Sequence, residues 1–435
     1  MTSVRAVYAV LLGVAGCSFH PSGGEVDGGA NAIDAEVSTD GADQDGTPDP
    51  DAAQPDAAQP DAAAIDATPI DAMETDASTT GDVVHVADDS IGTGDLAVVS
   101  PITVITSTTG FTFGMPLPAG VTYTTVAQDP GGPELAVLRV RTLSVAANIR
   151  VVGSRPLVIL AGTISLSAVI DAGARQRTPG AGGSTMGTGA GATGGHMGSY
   201  GDAGGGGGSF GGVGAAGGNG VCATGCQPDQ QVPGAPAGVS YGAATLATLQ
   251  GGSGGGSTFF PANTQCPEGA PGAGGGAIQL YAASSITIGA SGGINVGGGG
   301  GTGGDQCNSP FNWLAGYGGG AGGAIYLQSP IVSNGGVLAA NGGGGGAGAG
   351  QNGDGGTGAD GALTASVAAG GTATGMYSAA GGDGAAGATA AEAGSNASAD
   401  GNGGGGGGGV GRIHVRYRTV YSAGTQSPTA ATSMY

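Results

Sequence analysis

The chain has 435 residues, of which 102 are glycine, and its formal net charge is −21 at pH 7. All ten basic residues are arginine, which excludes the chemistry of a P-loop lysine or of a Schiff-base lysine. So few positive charges cannot neutralise a run of phosphates, and we therefore expect no nucleic-acid partner.

An apolar stretch near the start of the chain predicts export. Arg5 supplies one positive charge, and residues 6–16 are apolar. This stretch is too short to cross a bilayer, which takes about 20 residues, but it suits a signal-peptide core. It ends in Val-Ala-Gly-Cys17, which resembles the bacterial lipobox; an ordinary signal peptide followed by a chance cysteine is the alternative. The resemblance implies a signal peptide over 1–17, a lipid on Cys17 and, because Ser18 replaces the retaining Asp, an outer-membrane location.

Residues 18–82 have the composition of an acidic Ala/Asp/Pro linker. Pro50, Pro55 and Pro60 each open a Pro-Asp-Ala-Ala repeat. A period of five matches neither a helix nor a strand, so no continuous apolar face can form. Few large apolar side chains and charge of one sign predict a disordered segment that holds the following region away from a membrane.

Short alternating runs of Val, Ile, Thr and Leu predict a short-strand β region over 83–177. They occupy residues 97–106, 121–126, 135–140 and 150–171. Strands this short, separated by one or two small residues, are too closely spaced for hairpins with loops of ordinary length.

Residues 178–435 combine glycine tracts with a returning strand motif. Gly-Gly-Ala-Ile-x-Leu occurs around Ile278 and Ile325, and a truncated copy surrounds Ile413. About one third of this region is glycine, but the strict Gly-X-Y period of collagen is missing. Repeated strands with insertions predict an all-β fold, a parallel β-helix or β-solenoid-like head that also includes 83–177 and carries long glycine-rich loops. The tracts cover residues 178–220, 297–320, 341–362 and 379–409.

The glycine tracts allow a second interpretation. Without side chains, their backbones could pack closely as a polyproline-II bundle. In this respect they resemble the glycine-rich region of certain receptor tyrosine-kinase ectodomains. The layout of the whole chain resembles glycine-rich bacterial lipoproteins of the myxobacterial type, which share the lipobox, the Asp/Ala/Pro stalk and Gly-Gly-Ala-Ile-x-Leu repeats. That resemblance implies a surface location and transfers no site.

These features predict a membrane-anchored, surface-displayed structural or interaction protein, adhesin-like or matrix-like, without a catalytic site or cofactor. Its expected partners are the bilayer, through the Cys17 lipid, and cell-surface polysaccharide or other envelope components. The alternative is a glycan-binding or glycan-cleaving β-helix, which needs converging carboxylates. The candidates, each of which could equally be an ordinary turn carboxylate, are Asp171, Asp202, Asp229 and Asp305.

Four cysteines follow Cys17. An even number in an exported chain predicts two disulfides, with three possible pairings. The close spacing of Cys222 and Cys226 favours a small ring that leaves Cys266 to pair with Cys307, and a zinc site is the alternative. The Gly-Gly-x-Gly-x-Asp strings that end at Asp305 and at Asp360 resemble the start of a calcium-binding nonapeptide, but they lack its tandem repetition.

Basic and apolar residues alternate near residue 415. With a period of two, one face of this strand should be apolar and close the core, and the other should be basic. The basic face could be a solvated cap or a contact for an anionic glycan or lipid headgroup. Protonation of its histidine would strengthen such a contact below about pH 6.5. This face comprises Arg412, His414, Arg416 and Arg418.

Overall fold

Two mainly parallel sheets contain most of the strands in the computed structural model. The structure describes residues 83–196, 201–222, 230–259, 266, 269–307 and 313–435. The predicted signal peptide with its lipobox, the predicted linker, Cys226 and Asp229 all lie outside the described residues.

The strands of the described residues are β1 (Asp95–Val98), β2 (Ile102–Ile105), β3 (Thr122–Val126), β4 (Leu135–Arg139), β5 (Thr142–Val145), β6 (Ile149–Val152), β7 (Leu157–Leu166), β8 (Val169–Asp171), β9 (Gly220–Cys222), β10 (Gln230–Val232), β11 (Ala277–Ile288), β12 (Gly293–Asn295), β13 (Ala324–Asn334), β14 (Val337–Ala339), β15 (Arg412–Ser422), β16 (Thr425–Ser427) and β17 (Ala431–Met434).

The larger sheet has nine strands and runs in the order β1-β5-β7-β11-β13-β15-β17, with β4 also paired to β7. The smaller sheet has six strands in the order β16-β14-β12-β8-β6-β2. Neighbours within both sheets are parallel, except that β3 pairs with β4 as an antiparallel hairpin. A separate antiparallel pair joins β9 to β10.

The main hydrophobic core draws side chains from both sheets. On β11, Ile278 and Leu280 belong to this core, as strand alternation requires. Ile170 of β8 and Ile294 of β12 contribute from the six-stranded sheet. Equivalent positions of the repeated motif pair directly across the larger sheet, for example Ile278 with Ile325. Each copy of the motif therefore adds one strand to the larger sheet and adds its isoleucine to the same row of core side chains.

A second buried cluster lies on the other face of the nine-stranded sheet. It includes Val158 and Tyr326 from the sheet, and Val86 and Leu249 from segments outside it. The chain around residues 83–86 and 241–249 therefore covers this face. Both faces of the larger sheet are buried along its middle strands, which is the usual environment of parallel strands.

Seven glycine-rich segments form neither helix nor strand, yet nearly all of their residues are buried. Their backbones hydrogen-bond to one another, as in Gly205 N–H to Gly316 O at 3.0 Å and Gly408 N–H to Gly343 O at 2.8 Å. A Cβ atom added at Gly405 would lie 2.0 Å from the carbonyl oxygen of Tyr317. We call these tracts the glycine body; they comprise residues 201–212, 251–258, 272–276, 297–304, 314–323, 341–349 and 401–411.

The predicted fold class, a β-helix or β-solenoid-like head with long glycine-rich loops, is wrong. The described strands form two mainly parallel sheets, one of them with an antiparallel hairpin, and no closed barrel. The segments of the glycine body are buried and hydrogen-bonded to one another instead of looping outward, whereas other parts of the predicted tracts, such as 185–188, are exposed. The prediction assumed that the glycine tracts lie at the surface because they have almost no apolar side chains to bury. Backbone amides can also be buried when each finds a hydrogen-bond partner.

Among the described residues, no helical segment combines the length and apolar character that crossing a membrane requires.

Candidate functional site

Strand β15 holds the predicted basic face, but its four basic side chains lie in different environments. Arg412 donates two hydrogen bonds from Nη2, to the carbonyl oxygens of Tyr241 and Gly242, both at 2.9 Å. Its guanidinium carbon lies 5.6 Å from the centre of the Phe210 ring. Arg412 therefore fastens a covering segment onto the sheet.

His414 is only 3 % exposed, so it does not contribute to an open basic surface. Its ring stacks on Tyr326 with 5.2 Å between ring centres, and its Nε2 lies 2.9 Å from Ser433 Oγ. Its Nδ1 makes no hydrogen bond of normal geometry, although the backbone of Ala244 favours its protonation. Burial is the largest effect and lowers the pKa of His414 below 6.5. His414 therefore stays neutral to a lower pH than the sequence suggested.

Arg416 and Arg418 share one aromatic neighbour at the surface. Their guanidinium carbons lie 4.6 Å and 4.9 Å from the centre of the Tyr435 ring. A guanidinium over an aromatic face at this distance is a cation–π contact. The structure thus keeps this pair together and separates it from Arg412 and His414.

A buried polar cluster that the sequence pattern did not indicate lies beside His414. His85 Nδ1 lies 2.8 Å from Gln279 Oε1, and His85 Nε2 lies 2.5 Å from the carbonyl oxygen of Leu246. Gln279 in turn donates to the carbonyl oxygen of Val84 at 2.8 Å. Burial lowers the pKa of His85, although both hydrogen bonds favour its charged form. The contacts hold the start of the described chain against β11.

The structure joins Cys266 and Cys307 in a disulfide, with Cα atoms 4.3 Å apart. Cys222 is also disulfide-bonded, while Cys226 lies outside the described residues. No group of three or more metal-binding side chains that could hold an ion occurs in the part of the chain that the structure describes.

The candidate carboxylates that the structure describes, Asp171, Asp202 and Asp305, have different bonding partners. Asp202 is 4 % exposed, and its Oδ1 lies 2.5 Å from Nδ1 of His196, whose ring stacks on Phe259. Burial raises the pKa of Asp202 to about 6, against the opposing effect of the histidine. Asp305 Oδ1 accepts the backbone N–H of Cys307 at 2.6 Å, as a turn carboxylate does.

Asp360, at the end of the second calcium-like string, serves the backbone as well. Its Oδ1 accepts the N–H groups of Gln176 and Gly300, both at 2.8 Å. The carboxylates of both strings are therefore engaged with backbone amides of the fold.

Asp171 lies on the outer face of the six-stranded sheet, in a cleft of ≈ 430 Å³. Its two oxygens accept bonds from Arg150, Arg175, Asn295 and the backbone of Gly173. The two strands that carry it and Arg150 pair so that these residues are direct neighbours. Apolar side chains complete the cleft. Its lining residues are Asn148, Ile149, Arg150, Val169, Asp171, Arg175, Asn295 and Leu363.

The signal for this cleft was present in the sequence. The pair Ile149-Arg150 and the pair Ile170-Asp171 have the same apolar-then-charged order on successive strands. Aligning them places opposite charges side by side on one face. Arg175 could not be placed in the same way, because it follows the strand in a segment without regular structure.

Comparison of the chain with family models, with curated proteins and with solved structures found no match. The function is therefore inferred from the geometry of these sites.

Proposed function

We propose that this chain is a surface-displayed structural or interaction lipoprotein, anchored through Cys17, whose head is not catalytic. The observation that carries the proposal is the separate engagement of the carboxylates that could perform acid–base chemistry. Asp171, Asp202 and Asp305, the candidates among the described residues, are each held by separate local bonds.

Glycan hydrolysis requires two carboxyl groups on either side of one glycosidic bond, about 5–9.5 Å apart. The Asp171 carboxylate accepts three hydrogen bonds and forms ion pairs with two arginines. Asp202 is buried beside His196, and Asp305 holds the turn next to the disulfide. Carboxylates with these bonds stabilise structure, which supports a role as a scaffold.

The glycine body supports the same function. A Cβ atom would meet a backbone oxygen at about 2 Å at many of its positions, so these segments can pack in few other ways. A head of this kind would present its exposed surface to partners in fixed geometry. The lipid anchor and the surface location rest on the sequence, namely on Cys17 with the apolar stretch before it.

A turnover assay tests the non-catalytic part of the proposal. The purified full chain is incubated with a panel of neutral and acidic polysaccharides, and the release of reducing ends is measured. We expect no release above a boiled control. Release that disappears in Asp171→Asn or Asp202→Asn, with folding intact by circular dichroism, would overturn the proposal.

The anchor is tested in a Gram-negative host. Labelled palmitate should enter the wild-type chain but not the Cys17→Ala variant, and protease added to intact cells should remove the wild-type head. Equal labelling of both chains contradicts the lipid anchor. A head that is protected until the cells are lysed contradicts surface display.

A further inference from the structure

The cleft on the outer face of the six-stranded sheet has the features of a small ligand site. Its volume of ≈ 430 Å³ lies within the roughly 300–1,000 Å³ typical of ligand pockets. Arginine, asparagine and aliphatic side chains line it together. Such a lining offers hydrogen-bond donors and an apolar surface within one small volume.

Asp171 has no accepting capacity left for a ligand. An ionised carboxylate offers about four acceptor positions. Asp171 accepts hydrogen bonds of 3.0–3.1 Å from Arg175, Asn295 and Gly173, and its Oδ2 forms an ion pair with Arg150 at 2.9 Å. The carboxylate therefore orients donors in the cleft. It is a positioning residue, and the groups left to meet a ligand are donors.

The two arginines are held to different degrees. The Arg150 side chain is 18 % exposed, and its Nη2 donates to the carbonyl oxygen of Gly173 at 2.7 Å. The Arg175 side chain is 67 % exposed, and its bond to Asp171 uses one Nη donor. A guanidinium has five N–H donors in a planar fork. Arg175 therefore presents donors to the cleft from an oriented position.

The charge of the cleft is opposite to that of the protein. Its lining includes two of the chain's ten arginines and a single carboxylate, whereas the formal net charge of the whole chain is −21. Asn148 lies at the edge of the cleft, where its Oδ1 accepts the N–H of Val169 at 3.1 Å and so orients its amide group. The donors and the excess positive charge together select an anion.

We propose that this cleft binds a carboxylated sugar, a uronic acid unit of an acidic polysaccharide. Arg175 binds the sugar carboxylate through its planar fork, a geometry that suits carboxylates. The side-chain amides of Asn148 and Asn295 lie where they can bond ring hydroxyls, and Val169 and Leu363 offer an apolar surface to the carbon face of the ring. The inference rests on the interaction role proposed above and adds its ligand class.

Calorimetric titration of the full chain with a galacturonic acid trimer tests the proposal. We expect saturable binding that is at least tenfold weaker with the methyl-esterified trimer, which has the same sugars without the charge. Arg175→Gln should weaken binding of the acid about tenfold, because a charged hydrogen bond of about 1.5 kcal/mol or more is lost. Arg177→Gln is the matched control, since it removes the same charge two residues away, outside the cleft. We expect less than a twofold change for it.

Asp171→Asn distinguishes oriented arginines from general positive charge. It makes the cleft more positive, so binding that depends on net charge alone would strengthen. If Asp171 positions the arginines, binding weakens instead, with folding checked by thermal unfolding.

Three results would overturn the proposal: no binding of the acidic trimer, equal binding of the ester, or equal effects of Arg175→Gln and Arg177→Gln. These results leave the scaffold role standing, because that role is tested separately by polysaccharide turnover.

Discussion

At the scale of single residues, the glycine body depends on the absence of a methyl group. A Cβ added at Gly405 would lie 2.0 Å from the Tyr317 carbonyl oxygen. The backbone of Tyr317 is itself held by hydrogen bonds to neighbouring segments, so it cannot easily move away. Gly405→Ala should therefore lower the free energy of unfolding by about 3 kcal/mol or more, as overpacking of an interior does. Denaturant titration of both proteins measures the difference.

Gly289→Ala is the control for this substitution. The nearest atom to its added Cβ is the Leu166 carbonyl oxygen at 3.5 Å, an ordinary contact. Its effect should stay within about 1 kcal/mol of zero. A loss of the same size at both positions would mean that close backbone approach does not control tolerance in the glycine body.

The buried histidines predict how stability depends on pH. Burial lowers the pKa of His85 and His414 below 6.5, so the unfolded chain binds more protons than the folded chain once the pH falls below 6.5. The stability that the two neutral histidines contribute is fully present above pH 6.5. It is lost as the pH falls from 6.5 through their lower folded-state pKa. Asp202 acts in the opposite direction: its pKa of about 6 adds stability as the pH falls from 6 toward 3.8.

The contribution of His414 can be isolated with His414→Gln, which keeps a polar group near Ser433 and removes the titration. The free energy of unfolding should fall less steeply between pH 7.5 and 5 in this variant than in the wild type. Both proteins contain Asp202, Arg416 and His85, so the difference in slope reports His414. Identical slopes would show that His414 does not titrate differently in the folded state.

At the scale of elements, β15 performs two different tasks along one face. Arg412 donates to the carbonyl oxygens of Tyr241 and Gly242 and so fastens the covering segment, whereas Arg418 lies over Tyr435 at the surface. Arg412→Gln should lower the free energy of unfolding by about 1–3 kcal/mol, because the partly buried carbonyl of Tyr241 and the exposed carbonyl of Gly242 lose a charged donor. Arg418→Gln should cost less than about 1 kcal/mol. Comparable losses in chemical denaturation would contradict this division.

The strands themselves could be predicted from the sequence because their signal is carried by side chains. The apolar run at 135–140 contains β4 (Leu135–Arg139), and the spacing between the copies of the motif equals the register in which Ile278 faces Ile325. Alternation also placed Ile413 and Val415 in the core. It could not show that His414 is covered, since the Ala244 segment and Ser433 reach it from distant parts of the chain.

The glycine tracts could not be placed from the sequence for a different physical reason. Periodicity reports which face of an element is buried, and a run of glycine has no faces to compare. What allows these tracts to pack closely is the absence of Cβ atoms, which would keep neighbouring backbones apart.

At the scale of the whole molecule, the described head has interiors of two kinds. Between the sheets, aliphatic side chains such as Leu157, Ile170 and Ile294 fill the core. In the glycine body, the buried atoms are mainly peptide groups bonded to one another. The first interior is stabilised chiefly by removing hydrocarbon from water, and the second by hydrogen bonds and close contact in a region without side chains.

From the second interior we expect a small heat capacity change of unfolding for the size of the head. Hydration of newly exposed hydrocarbon raises this quantity, while hydration of exposed peptide groups lowers it, and ordinary domains reach about 12–15 cal/mol/K per residue. Because so much of what the head exposes on unfolding is peptide, scanning calorimetry normalised to residues 83–435 should give a value below that range. A value within or above it would contradict the expectation. With a small heat capacity change, the free energy of unfolding curves only gently with temperature, so the head would keep nearly constant stability between cold and warm surroundings.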